Sequence, residues 1–140
     1  MGVMDKGLSR ELKIDERYSD LDMAFSIHPL TGDVKHVKGR KAVVQSVKRL
    51  VLMNKWSVPF RPEINCGVEN QLFETMGAIH VSAFQNQITE ILQIYEPRIR
   101  LEKVDCKVKD SGQSLEINIT FEIIALDETV TTTLIMKRER

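Results

Sequence analysis

Apolar residues recur along this chain with two different periods, and the change falls at Pro97. Ala42, Val43, Val47, Leu50 and Val51 come at helical spacing, with Asn54 in phase and Val44 and Leu52 widening the stripe. That spacing predicts a helix beginning after Gly39. Ile79, Phe84, Ile88, Ile91, Leu92 and Tyr95 predict a second, longer helix. It must stop near Glu96, because a proline disfavours helical backbone in the residue before it. After Arg98 the period is two. Ile99 and Leu101 alternate, then Val104, Cys106 and Val108, with a phase shift between Leu101 and Val104 that predicts a bulge or break. Asp110-Ser111-Gly112 is a hairpin turn. Leu115, Ile117, Ile119, Phe121 and Ile123 alternate without interruption, Leu126-Asp127-Glu128 turns the chain, and Val130, Thr132, Leu134 and Met136 make a last strand.

The first part of the chain is less regular. Residues 1–17 are polar and without period, and read as an N-terminal arm. Met23 to Ile27 alternates weakly, Thr31-Gly32-Asp33 is a turn signal, and Val34 to Val37 is a short return strand. Pro59 and Pro62 hold the next segment extended, with Phe60 expected to point inward as an anchor. Asn65-Cys66-Gly67 reads as a turn and Glu69 to Glu74 as one short helix. The expectation is an α+β fold: one domain over residues 18–140, with a three-strand antiparallel run at the C-terminal end packed on one side by two main helices. Such a meander leaves edges open. The last strand is rich in threonine and free of proline, so it is a candidate for pairing with a strand of another chain.

Charge changes the picture in one place. Twenty Lys and Arg balance twenty Asp and Glu, which argues against a dedicated nucleic-acid binder and suits a component of an assembly. The balance is not local. Lys35, Lys38, Arg40, Lys41, Lys48, Arg49, Lys55 and Arg61 lie in a stretch without a single acid. A solvated helix face with an acidic partner in the fold is one reading, and a nucleic-acid groove is the other. Only Trp56 and Phe60 are aromatic there, and the interleaved aromatics of a single-strand binder are missing.

Candidate chemistry is sparse. His28, His36 and His80 lack the spacing of metal ligands, and Cys66 and Cys106 form no CxxC pair. The two cysteines read as small buried thiols of a reducing compartment. No phosphate loop or nucleophile elbow occurs. No run of membrane-spanning length or secretory signal is present, and the chain reads as cytosolic at synthesis. Glu74 and Glu96 adjoin Phe73 and Tyr95 and are the candidates for partly buried carboxylates. Glycoside cleavage needs one carboxyl kept protonated, and Arg98 and Arg100 would instead lower the pKa of Glu96.

A series of short motifs goes further. Tyr18-Ser19-Asp20-Leu21-Asp22 is followed by Phe25, then His28-Pro29-Leu30-Thr31-Gly32-Asp33. Ala42-Val43, Gln45-Ser46-Val47 and Leu50 come next, then Pro59-Phe60-Arg61-Pro62-Glu63, Leu72-Phe73-Glu74 and Tyr95-Glu96-Pro97-Arg98-Ile99. In order and spacing, across roughly residues 18 to 125, they resemble the baseplate wedge or sheath-initiator proteins of contractile-tailed phages. That family has a counterpart in the type VI secretion baseplate and has also carried a lysozyme label. Two departures stand out: Asn65 follows Ile64 where the family often has glycine, and Val58 stands where a basic residue tends to precede Pro-Phe.

The resemblance implies a non-enzymatic virion protein without cofactor or metal, assembled in the host cytoplasm, with no membrane or specific nucleic-acid partner. It implies a fold similar to the strand-exchanging domain of the tail sheath subunit. The implied partners are other wedge proteins, the sheath subunit and the tail tube. By position, Glu96, Pro97 and Arg98 would dock on the wedge core bundle. Leu115, Ile117, Ile119, Val130, Thr132 and Leu134 would belong to the sheet that sheath arms extend. Physical chemistry leaves two alternatives open. Glu96 and Arg98 could form an internal ion pair that closes the helix end, and the protein could be a peptidoglycan-cleaving enzyme.

Overall fold

The computed structural model describes residues 17–68, 78–110 and 113–137. The expected arm (but for Arg17), the helix Glu69 to Glu74, Ser111 and Gly112 of the hairpin turn, and the last three residues lie outside these. The chain begins with a two-stranded ribbon, β1 (Ser19–Leu21) antiparallel to β2 (His36–Lys38). Between them, Met23 to Ile27 does not form the expected alternating strand. The Asp22 carboxylate accepts hydrogen bonds from the Ala24 N–H (3.2 Å) and the Ser26 hydroxyl, and the Phe25 N–H bonds to the Asp22 carbonyl. A local Asx-type turn therefore takes the place of a ladder. Phe25 and Ile27 are exposed, and only an isolated bridge from Ile27 to Val34 survives.

α1 (Gly39–Leu52) follows β2 directly. Gly39 enters it at a φ of 58°, a conformation that costs glycine nothing, and its N–H bonds to the Tyr18 carbonyl. Ala42, Val43, Val47, Leu50 and Val51 are buried, as their spacing predicts. The loop after α1 corrects the expectation for Phe60, which is 98% exposed. Arg61 N–H bonds to the Val58 carbonyl, so Val58-Pro59-Phe60-Arg61 is a turn with Pro59 in second place and Phe60 in third, at a φ of 65°. This is type II geometry: proline pre-sets the second position, and the third is turned outward with positive φ. Trp56 occupies the same place in the turn from Asn54 to Ser57, at a φ of 68°, and is also exposed. Farther on, Asn65 does not adopt positive φ. Its side chain accepts the Gly67 N–H at 2.8 Å, and Gly67 takes the left-handed conformation instead.

α2 (Ala78–Tyr95) buries Phe84, Ile88, Ile91 and Leu92 and ends two residues before Pro97. The sheet follows in the order β3 (Ile99–Lys109), β4 (Ser114–Ile123), β5 (Glu128–Lys137), all antiparallel. Its register shifts between Leu101 and Lys103, inside the interval the hydrophobic phase marked. On β4 the alternation is complete: Leu115, Ile117, Ile119, Phe121 and Ile123 have no exposed surface. They form one core with the inward faces of α1 and α2. The opposite face is polar, with cross-strand contacts such as Arg100 to Glu122 (2.8 Å) and Thr133 to Asn118 (2.6 Å). This is the α+β arrangement expected, with a sheet buried on one side and wet on the other.

Both cysteines are in the core, and burial pushes each thiol up to about 12. For Cys106 the Asp105 carboxylate adds to that effect. Thiolate is the reactive form. A disulfide reagent at neutral pH is therefore expected to leave the native protein unmodified on the time scale of minutes and to titrate both thiols after denaturation. Rapid native reaction at either cysteine would mean that the core opens locally there.

Candidate functional site

Two surfaces are in question: the corner at the end of α2 and the edges of the sheet. At the corner, Pro97 ends the helix and turns Arg98 back over Glu96. The guanidinium grips that carboxylate with two parallel hydrogen bonds, Nε to Oε1 at 2.6 Å and Nη2 to Oε2 at 2.9 Å. From α1, the Ser46 hydroxyl donates to Oε2 at 2.5 Å. From β1, both Asp20 oxygens accept from Arg98 Nη1 at 3.1 Å. The Tyr18 ring lies 5.5 Å from Arg98 Cζ, within cation–π range. One arginine thus joins β1 to the end of α2, and its carboxylate partner joins that end to α1.

Glu96 is 2% exposed. Burial pushes its carboxyl up, but the hydrogen bonds from Arg98 and Ser46 and the Arg98 charge outweigh this, and its pKa lies below the usual glutamate value. The Arg98 pKa is raised, because the Glu96 hydrogen bonds, with the Asp20 contacts, exceed the opposing effect of burial. One open alternative is realised and one expectation is corrected. The carboxylate that Arg98 holds bidentately is Glu96 of its own chain, which is the internal-pair alternative, so the fork is not free for a partner. Arg100 does not act on Glu96; it faces the other side of the sheet and pairs with Glu122. Of Glu96-Pro97-Arg98, Pro97 is exposed and Arg98 is half-buried. Ser46, Asp20 and Tyr18 were not singled out as its partners. Their sequence signal was faint: they stand in the same motif series as Tyr95 to Ile99.

The sheet edges differ. β4 is the middle strand and is paired along both sides. Leu115, Ile117 and Ile119 belong to the sheet, but they offer no free main chain and their side chains are core, so as direct contacts of a partner strand they are corrected. Val130 and Thr132 point inward from β5, Leu134 is half-buried, and no described strand pairs with the outer edge of β5. That edge carries no proline and no charge between Glu128 and Lys137. The β3 edge is the reverse: Arg100, Glu102, Lys103, Asp105, Lys107 and Lys109 crowd it, and the bulge bends it. Charges and bulges are how natural edges avoid pairing. β5 is the open edge. Beside it, α1 leaves a groove of about 540 Å³. Among the described residues, no group of three or more His, Cys, Asp or Glu could hold a metal ion.

A family model described as baseplate wedge protein gp25 matches residues 37–128, more than half of the chain. The baseplate wedge protein gp25 of Enterobacteria phage T4 is 29% identical over 111 residues, covering 79% of this chain and 83% of that relative. Three solved structures are similar in fold. A protein of Geobacter sulfurreducens described as a candidate tail lysozyme has a TM-score of 0.62 at 18% identity, covering 71% of this chain and 91% of that one. A chain of the anti-feeding prophage baseplate has a TM-score of 0.59 at 19% identity, covering 88% and 87%. A chain of the post-contraction pyocin R2 baseplate has a TM-score of 0.51 at 18% identity, covering 79% and 97%.

Proposed function

We infer the function from one premise: this chain belongs to the baseplate wedge protein gp25 family. It is a structural component of a phage baseplate wedge and works among other baseplate proteins. Beyond that, we propose that it docks on the wedge core at the Glu96-Pro97-Arg98 corner, lies around the tail tube, and starts sheath polymerisation by accepting a sheath strand. Its sheet would then be kin to the strand-exchanging domain of the sheath subunit, and it would join the baseplate during assembly in the host cytoplasm.

The observation that carries the sheath reading is the open, uncharged edge of β5, at the opposite side of the sheet from a blunted β3. Main-chain pairing at such an edge gives strength with little demand on side-chain identity. At the corner, the Arg98 network sets a rigid shape, and Pro97 with the exposed part of Arg98 is the surface offered. Baseplates assembled with and without this protein, imaged for sheath, test the reading. Sheath on complete baseplates alone is the expected result, and equal growth on both would sink it.

The lysozyme label on the Geobacter sulfurreducens protein is the observation that favours an enzymatic reading. Against it, Glu96 is ionised and saturated by hydrogen bonds, the opposite of a general acid. Glu74 lies outside the described residues.

A further inference from the structure

The groove beside β5 has a composition that the augmentation reading does not require. Its α1 wall is one stripe of the helix running from Arg40 to Leu52, about 18 Å at the rise of an α-helix. Four cations stand on that wall, Arg40 with Lys41 and, two turns on, Lys48 with Arg49. Arg40 is occupied by Glu128 at 2.9 Å. Lys41, Lys48 and Arg49 form no ion pair with any described carboxylate. Val44 and the half-exposed Leu52 and Met23 supply apolar surface between the charges, and Val130 to Thr132 of β5 close the far side. Among the described residues, the wall thus offers Lys41, Lys48 and Arg49 without ion-pair partners on one side, and on the other the strand offers an edge that no other strand pairs.

We propose that this groove takes an extended peptide segment that carries carboxylates on its α1-facing side. The proposal rests on the reading of β5 as the edge a partner strand extends, and adds the chemistry of that strand. A nucleic-acid backbone would satisfy the cations but leave the strand edge and the apolar wall unused. An uncharged strand would satisfy the edge and leave the cations without counterparts. An acidic strand satisfies both. The two cation pairs are about 12 Å apart along the helix, which an extended chain covers in about four residues.

The test uses the full-length protein and a fluorescent peptide of alternating threonine and valine with two glutamates four residues apart, followed by anisotropy. Its twin carries glutamine in place of glutamate. The acidic peptide is expected to bind about tenfold more tightly at low salt, the sum of a few exposed ion pairs, and to lose that advantage in high salt. A Lys41→Glu, Lys48→Glu variant, shown by circular dichroism to be folded, is expected to lose or reverse the preference. Lys41→Gln, Lys48→Gln, which adds no repulsion, is expected to erase it. Equal binding of the two peptides overturns the acidic specificity and leaves edge pairing standing. No binding by either overturns both. Binding only after removal of residues 1–16 assigns the groove to the chain's own arm, and preference for a single-stranded oligonucleotide assigns it to nucleic acid; each overturns the proposal.

Discussion

Replacing Arg98 by alanine is expected to cost about 3–5 kcal/mol of folding stability at neutral pH, the usual effect of leaving a buried charge without its partner. Glu96 is 2% exposed, and its two oxygens are satisfied by Arg98 and Ser46. Without the guanidinium, one oxygen keeps the serine and the other keeps nothing. The pH dependence should change sign. In the native protein the folded pKa of Glu96 lies below the ordinary 4.5. Its contribution is present above that ordinary value and is lost as pH falls through the folded one. In the variant, burial acts almost unopposed and raises the folded pKa. The variant is then at its best below the ordinary value and weakens as pH rises toward neutrality. Urea unfolding at pH 4 and pH 7 reads both: the gap between native and Arg98→Ala proteins should narrow on acidification. Arg98→Lys, which keeps the charge but not the fork, should fall between them. A cost below 1 kcal/mol at pH 7 would mean that water reaches Glu96 and that the network is not holding three elements together. Loss of wedge binding in Arg98→Ala must therefore be read beside its stability, because the residue shapes the corner as well as facing outward.

Legibility in the sequence follows how locally each feature is determined. Leu115 to Ile123 alternates perfectly because that strand is central and buried on one face, so every second position must be apolar. The bulge near Glu102 was visible because a single extra residue inverts the side-chain phase. α1 and α2 were visible for the same reason at a different period. Features set by backbone turns or by distant partners were hidden. Phe60 looked like an anchor from its hydrophobicity, but Pro59 places it third in a type II turn and turns it outward. β1 is three residues long, too short for any period to register. The Asp20 contact with Arg98 spans 78 positions, and nothing local distinguishes Asp20 from the other acids. Strand order is set at another level. Side-chain alternation tells which face a residue takes, but which strand lies in the middle is a property of topology. β4 carried the stronger pattern because it is interior, which is also why it cannot accept a further strand.

Under the proposed sheath-initiating role, the same contrast predicts where sheath growth should be most vulnerable. A proline in β5 is expected to abolish sheath polymerisation on otherwise complete baseplates, and a proline in β3 is not. Alternate N–H groups of an edge strand point away from its neighbour. Of Thr131→Pro and Thr132→Pro, one therefore removes a donor from the ladder with β4 and the other removes one from the open edge. The variant that keeps its melting temperature is the informative one, because proline on an edge is tolerated when its missing N–H faces solvent. In that variant the ring also stands where an incoming strand would lie, so pairing loses both a hydrogen bond and close approach. The matching pair on the opposite edge, Cys106→Pro and Asp105→Pro, serves as control, again read in the variant that melts normally. Charges and the bulge already keep β3 unpaired, so growth should continue there. Normal sheath on the stable β5 variant would show that sheath subunits engage this protein through side chains or another element. Loss with the stable β3 variant would place the acceptor on the charged edge, where side-chain ion pairs rather than open main chain would have to supply the attraction.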